Sequence, residues 1–163
     1  QPDGKPGEVV IRGYFVMKGY FNDPKATAKT IDPDGWLHTG DIGYFDANGN
    51  LRIEDRLKDM YITGGFNCYP AEIERILSQH PAIGIVAVIG VPDERLGEVG
   101  KAYAVLRPGT SATEKEIIDW SRANMANYKC PRSVDIRTSL PTSPQGKVLK
   151  NVLREEVPAG NAA

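Results

Sequence analysis

An uninterrupted apolar run at residues 85–91 (IVAVIGV) constrains the fold of this chain more than any other feature. A run of this length without a polar side chain is typical of a central strand that is buried on both faces. Residues 99–106 predict a second strand, which Pro108 and Gly109 end, and residues 133–137 predict a third. The sequence therefore indicates a sheet against which the other elements pack.

Helical patterns alternate with these strands. Residues 70–77 have a proline in the first turn and three aliphatic side chains on one face. Thr113 and Glu116 have the spacing of a capping box and predict a second helix, and a last short helix is expected over residues 151–156. The expected fold class is α+β: a three-stranded sheet with packed helices, plus a short two-stranded hairpin around Gly64-Gly65.

The first third of the chain is rich in predicted strands and has a single short helix. The helix is expected over residues 25–30, because the preceding Asn-Asp-Pro suits a helix start. The strands are expected over residues 8–12, 36–38, 42–45 and 51–54, with a turn at 46–50. We place the domain boundary near residues 55–58. Residues 1–55 are then a β-rich remnant of a larger domain, and residues 56–163 are a compact C-terminal domain.

Composition limits the classes of function. The chain has 163 residues, of which 40% are hydrophobic and 25% charged, as in a globular protein with a core. Twenty basic and 21 acidic side chains give a net charge of −1, so no electrostatic footprint for nucleic acid is expected. No apolar run approaches the roughly 20 residues that span a bilayer. We expect a cytoplasmic protein without a transmembrane segment.

Isolated cysteines and histidines argue against a metal site. Cys68 and Cys130 have no CxxC spacing and are expected to be buried or half-buried thiols. His38 and His80 stand apart from each other and from the cysteines, so no metal is predicted. The chain begins without methionine in a Gly/Pro turn, and we interpret it as a fragment of a longer chain.

Four motifs occur in a fixed order: residues 39–41 (TGD), 55–59 (DRLKD), 64–67 (GGFN) and 141–147 (PTSPQGK). This series resembles the C-terminal signatures of the adenylate-forming enzymes, which include acyl-CoA synthetases, peptide-synthetase adenylation domains and beetle luciferases. The resemblance extends from about residue 7 to residue 154. It implies that residues 56–163 form the small lid domain, and that the preceding residues end the large AMP-binding domain.

The resemblance gives roles to two residues at or before the domain boundary. Asp41 would bind the ribose hydroxyls of ATP, although by spacing alone it is an ordinary aspartate in a turn. A carboxylate can accept both hydrogen bonds of a diol. Arg56 would also contact the ribose. The planar guanidinium group of arginine can donate two hydrogen bonds to a diol, which suits this contact better than the ammonium group of lysine. Without this context Arg56 is a solvated charge.

The resemblance also gives roles to residues of the lid domain. Lys58 matches the hinge between the domains, where it would absorb a change in φ and ψ. Gly65, and more weakly Asn67, would lie against the pantetheine arm of CoA, since glycine allows a backbone to approach a ligand closely. Lys147 would be the catalytic lysine, which stabilises the charge that develops at the α-phosphate of ATP. Read alone, the Gly64-Gly65 segment is a turn and Lys147 a surface charge.

Residues 1–163 contain no phosphate-cradling glycine loop. The chain is therefore expected to be inactive alone and to need its own N-terminal domain as a partner. The expected parent is a carboxylic acid:CoA ligase that uses ATP, Mg²⁺ and CoA, with a fatty acid or related acid as substrate; the fatty-acyl and steroid-acid ligase branch is the most similar. The alternatives are an adenylation domain of another enzyme of this superfamily, or a non-catalytic interaction module that keeps the fold.

Overall fold

The computed structural model describes residues 4–157, and the chain divides into two compact units with the boundary between Lys58 and Asp59. The first unit contains three strands and one helix: β1 (Gly7–Ile11), α1 (Pro24–Thr30), β2 (Leu37–Phe45) and β3 (Leu51–Arg56). Its strands form an antiparallel sheet in the order β1-β2-β3. Asp23 caps α1, as the sequence predicts, by accepting a hydrogen bond from the N–H of Ala26 at 2.9 Å.

The two strands predicted over residues 36–38 and 42–45 are one continuous strand, β2. The prediction of two strands was wrong because the irregularity between them is a bulge and not a break. Gly40 has φ +70°, and the pairing with β1 shifts register at this point, between the pair Glu8–Ile42 and the pair Val10–His38. Strand β1 therefore pairs with β2 on both sides of Gly40, and β3 pairs with the second half of β2, from Asp41 to Phe45.

The second unit is built on a five-stranded sheet. Its strands are β4 (Tyr61–Thr63), β5 (Phe66–Cys68), β6 (Ile83–Asp93), β7 (Gly97–Leu106) and β8 (Ser133–Arg137). The sheet order is β5-β4-β7-β6, and β8 pairs parallel with β7. The predicted α+β class is confirmed. The predicted hairpin β4–β5 is not separate from the main sheet, because Thr63 pairs with Gly97 at the start of β7.

The apolar strand β6 lies at an edge of this sheet and not at its centre as predicted: among the described residues it pairs only with β7. Its central side chains, Ala87, Val88 and Ile89, are nevertheless buried, because helices α2 (Pro70–Leu77) and α4 (Lys150–Glu155) pack against the strand, whereas Ile85 is 51% exposed. Glu74 of α2 also accepts a hydrogen bond from the backbone N–H of Val88 at 2.7 Å. A side chain thus covers a strand edge that would otherwise be open to pairing with another chain.

Alternation along β6 and β7 gives the sheet two apolar faces, since successive strand side chains point in opposite directions. Helices α2 and α3 (Glu114–Asn124) supply buried side chains to one face, and α4 supplies Leu153 to the other. The predicted capping box of α3 is present at Thr113 and Glu116. The first core cluster contains Tyr61, Cys68, Ile73, Leu77, Ile83, Val88, Ala102, Ala104, Ile117 and Val134. The second contains Ala87, Ile89, Tyr103, Leu140 and Leu153.

The ring of Tyr61 lies against two glycines, which explains why the apolar run contains a glycine. Tyr61 is 1% exposed. A Cβ atom on Gly90 would lie 2.4 Å from the Cβ atom of Tyr61, and one on Gly100 would lie 2.4 Å from the Tyr61 hydroxyl. Burial raises the pKa of the Tyr61 phenol, which stays protonated. The absence of side chains at Gly90 and Gly100 is therefore what allows β4 to pack on the β6–β7 hairpin.

We predict that Gly90→Ala lowers the free energy of unfolding by about 1–3 kcal/mol, because the added methyl group overpacks the site against Tyr61. Gly84→Ala, on the same strand, is the matched control. Its Cβ atom would lie 3.4 Å from its nearest neighbours, in ordinary van der Waals contact. Urea denaturation of both variants tests this; equal stability of the two variants would contradict the packing described for Tyr61.

Candidate functional site

The structure brings Asp41 and Arg56 into direct contact. They are opposite each other in the β2–β3 ladder, and the Arg56 Nε atom lies 2.7 Å from Asp41 Oδ1. Asp41 lies within β2 and not at a strand end. The adjoining pocket, of about 400 Å³, is lined by Arg56 and by Thr39, Gly40, Leu57 and Lys58. A carboxylate that accepts and a guanidinium that donates are together complementary to a vicinal diol, whose hydroxyls do both.

Hydrogen bonds from β1 fix the backbone before Asp41. Thr39 Oγ1 accepts from the N–H of Asp41 at 3.1 Å and donates to the carbonyl of Val9 at 2.7 Å. Glu8 accepts from the N–H of Gly40 at 3.2 Å through one oxygen, and its other oxygen lies 2.8 Å from His38 Nδ1. The Asp41 carboxylate therefore projects from a segment that is held at three consecutive residues.

Sequence reasoning missed Glu8 and treated His38 as isolated. His38 lies between two carboxylates, 2.8 Å from Glu8 and 3.7 Å from Asp32. The hydrogen bond to Glu8 raises the pKa of His38 above its ordinary value. Only the pairing of β1 with β2 reveals this contact, because Glu8 and His38 are 30 residues apart in the sequence. The one available signal was an acidic residue directly before the apolar residues of the predicted strand 8–12.

Lys58 is exposed in the turn formed by residues 57–59. The N–H of Leu57 donates to the carbonyl of Gly40 at 2.8 Å, which ties the start of this turn to β2. The boundary between the two compact units follows Lys58 directly. The hinge role of Lys58 and the division into residues 1–55 and 56–163 remain predictions.

Gly64 and Gly65 form the two-residue turn between β4 and β5. Their φ angles are +56° and +88°, and positive values at both central residues are what a type I′ hairpin turn requires. The Gly64 N–H donates to the carbonyl of Leu96 at 2.9 Å, whereas a Cβ atom on Gly65 would meet no atom within 4 Å. The Gly65 backbone is therefore open to close approach. Asn67 is exposed in β5.

Lys147 is exposed at the end of a tight loop. The loop is closed by two backbone hydrogen bonds of 2.8 Å, from Ser143 N–H to the Lys147 carbonyl and from Gly146 N–H to the Ser143 carbonyl. Gly146 has φ +80°, which favours glycine. Within residues 4–157 no carboxylate forms an ion pair with the Lys147 ammonium group. The loop thus presents an uncompensated cation on a defined backbone.

The predicted site residues fall into three local groups. Asp41 and Arg56 are in contact in the first unit; Gly65 and Asn67 share one hairpin of the second unit, and Lys147 occupies a separate loop of that unit. Cys68 and Cys130 are buried free thiols, as predicted. The described part of the chain contains no group of three or more side chains able to hold a metal ion, and no helix long and apolar enough to cross a membrane. The cytoplasmic location stays a prediction.

Comparison with known proteins matches most of the second unit to a family. Residues 72–147 match the family model of the AMP-binding enzyme C-terminal domain. The 3-[(3aS,4S,7aS)-7a-methyl-1,5-dioxo-octahydro-1H-inden-4-yl]propanoyl:CoA ligase of Rhodococcus jostii is 57% identical over 153 residues. That match covers 94% of this chain and 30% of the ligase.

Two solved structures agree with this match. ATP-bound MatB from Rhodopseudomonas palustris superposes with a TM-score of 0.87 at 39% identity, covering 95% of this chain and 31% of MatB. A Mycobacterium tuberculosis fatty acyl CoA synthetase superposes with a TM-score of 0.64 at 46% identity, covering 92% of this chain and 30% of that protein. The chain thus spans about 30% of the length of the proteins it matches.

The ordered motifs, the sheet of the second unit and these matches agree: residues 72–147 are an AMP-binding enzyme C-terminal domain.

Proposed function

We propose that this chain is the C-terminal part of an ATP-dependent ligase that joins a carboxylic acid to CoA through an acyl-adenylate. The contact of 2.7 Å between Asp41 and Arg56 carries the proposal, because it sets a diol-binding pair beside a pocket. The name of the 57% identical relative, a CoA ligase, supports the second half of the reaction, and the ATP-bound neighbour supports the nucleotide.

The reaction has two steps, each with its own local group. In the first, a carboxylate oxygen of the acid attacks the α-phosphate of ATP and pyrophosphate leaves. In this step Asp41 and Arg56 hold the ribose, and the Lys147 ammonium stabilises the charge that develops on the transferring group. In the second, the thiolate of CoA attacks the acyl carbonyl and AMP leaves. The open backbone at Gly65 then borders the pantetheine arm, with Asn67 beside it.

Mg²⁺ would accompany ATP. Magnesium is held mainly through substrate phosphates, waters and one or two carboxylates, so it needs no dedicated cluster of protein ligands. Asp41 is engaged by Arg56 at 2.7 Å and is better suited to the ribose than to the metal. We therefore assign no residue of this chain to Mg²⁺.

Two classes of acid are candidates. The relative at 57% identity is named for an acid in which a ring system is attached to a propanoate, and this favours a ring-bearing acid. The predicted fatty acid is the second candidate, supported by the name of the 46% identical fatty acyl CoA synthetase. The experiment is a panel of ring-substituted propanoates and straight-chain acids, given to the full-length protein with ATP and CoA. A preference of kcat/KM for the straight chains would reverse our ranking.

A non-catalytic interaction module is the alternative from another class. Such a module would have no need for an exposed lysine on a closed loop together with a paired aspartate and arginine. Full-length protein that makes no acyl-CoA from any acid of the panel would favour this alternative.

Arg56→Lys in the full-length enzyme is predicted to raise the KM for ATP about tenfold, because it keeps the charge but loses the planar fork that contacts a diol. Arg52→Lys is the matched control. Arg52 lies on the same strand and pairs with Asp46 at 3.0 Å, away from the Asp41 contact. An equal effect of the two substitutions on the KM for ATP would remove the assigned role of Arg56.

Lys147→Ala is predicted to slow acyl-adenylate formation by roughly 10²–10³, the usual effect of removing one preorganised electrostatic donor. The same variant should form thioester from supplied acyl-AMP and CoA at a nearly normal rate, since the thiolate then attacks the acyl carbon and no bond to phosphorus is made or broken. Single-turnover assays of each step measure both effects.

Lys115→Ala controls for loss of a surface charge, since the Lys115 side chain is 85% exposed on α3. It should leave both steps unchanged. If Lys147→Ala slowed both steps equally, Lys147 would not be specific to adenylate formation.

A further inference from the structure

Helix α4 begins three residues after Lys147 and is anchored at three points within the second unit. Its Leu153 side chain is completely buried. The Lys150 Nζ atom lies 2.7 Å from Glu74 Oε1, and an Arg154 guanidinium nitrogen lies 2.7 Å from Asp59 Oδ1. The first two anchors join α4 to the core of the unit. The third reaches a residue beside the predicted hinge.

Asp59 is the first residue of the second unit and directly follows Lys58. It lies in the turn of residues 57–59, before the ladder of β4 begins at Tyr61. Asp59 and Met60 therefore have no strand pairing of their own among the described residues. The Asp59 side chain is only 15% exposed, and that of Arg154 34%. A charge-assisted hydrogen bond in such a position is stronger than an ion pair on an open surface.

We infer that Asp59 and Arg154 are positioning residues for Lys147, an inference that rests on the proposed function of that lysine. The ion pair fastens the residue after the hinge to the helix after the lysine loop. When φ and ψ change at Lys58, Asp59, α4 and Lys147 then rotate together as one rigid body. Without the pair, the backbone of Asp59 and Met60 adds free rotations between the hinge and the lysine.

Free rotation at this point matters because a catalytic group that is misplaced by about 1 Å can lose a factor of 10² in rate. The lysine would still reach the α-phosphate, but it would occupy the productive position for a smaller fraction of the time. The ion pair thus acts on the placement of Lys147 and not on the substrate itself.

A second ion pair of the same helix end gives a matched control. Glu156, the C-cap residue of α4, pairs with Arg137 of β8, and their side chains are 41% and 27% exposed. This pair holds the end of α4 on the sheet without involving Asp59. Glu156→Gln therefore removes one charge from α4 and leaves the connection to the hinge intact.

The first arm of the test uses the 163-residue chain itself and does not depend on activity. Hydrogen exchange with mass spectrometry is measured for Asp59→Asn, Arg154→Gln and Glu156→Gln. The first two variants should accelerate exchange in residues 58–61 and 142–149 together. If the two segments respond independently, or if Glu156→Gln gives the same result, the mechanical connection is wrong.

The second arm uses the full-length enzyme in single-turnover assays. Asp59→Asn should slow acyl-adenylate formation about tenfold, a smaller loss than that of the lysine itself, with little change in thioester formation from supplied acyl-AMP. The exchanged pair Asp59→Arg with Arg154→Asp should recover most of the lost rate because it restores the ion pair, and a merely structural role would slow both steps alike.

An unchanged adenylation rate in Asp59→Asn, or no recovery in the exchanged pair, would overturn the inference. A full-length protein that forms no acyl-adenylate from any acid would instead contradict the proposed function. In that case hydrogen exchange would still decide whether Asp59 and α4 move together.

Discussion

The antiparallel pairing of β6 with β7 is the interaction on which the second unit depends. Its register extends from the pair Ile83–Leu106 to the pair Asp93–Gly97, and it gives the unit two apolar faces. Helices α2 and α3 cover one face and α4 covers the other. Because α4 follows the lysine loop in the chain, packing of Leu153 on this sheet determines where Lys147 lies within the unit.

In the first unit, the candidate site depends on the register of the β2–β3 ladder. Asp41 and Arg56 meet because they are opposite each other in the ladder of β2 and β3. A slip of one residue would turn one of the two side chains to the other face of the sheet and would separate the pair. This ladder shifts register between Ile42 and Gly43, directly after Asp41, and the bonds of Glu8 and Thr39 hold the backbone before Asp41 on β1. The candidate nucleotide site is thus a product of strand alignment.

Local signals predicted much of the fold. The proline in the first turn of α2, the capping box of α3 and the alternation of apolar residues depend on neighbours in the sequence, and the structure has these elements at or near the expected positions. The errors arose where tertiary structure overrides local pattern. Gly40 does not interrupt β2, because the ladder with β1 resumes on the other side of it, and the middle of β6 is buried at a sheet edge, because helices cover it.

The candidate site was predicted to a similar extent. Asp41, Arg56, Gly65 and Lys147 followed from motifs that are contiguous in the sequence. The Glu8–His38 pair and the Arg154–Asp59 pair join residues that are 30 and 95 positions apart, and no local pattern reports such contacts. The residues that hold the candidate site in place are therefore harder to find from sequence than the residues of its motifs.

The fate of a carboxylate oxygen tests the central claim most directly. The full-length protein is given an acid labelled with ¹⁸O in both carboxylate oxygens, together with ATP, Mg²⁺ and CoA, and the products are examined by mass spectrometry. Attack of the carboxylate on the α-phosphate, followed by attack of the CoA thiolate on the acyl carbon, leaves one labelled oxygen in AMP. We expect AMP with a single ¹⁸O atom and unlabelled pyrophosphate. Label in inorganic phosphate, or unlabelled AMP beside the acyl-CoA product, would contradict the acyl-adenylate route.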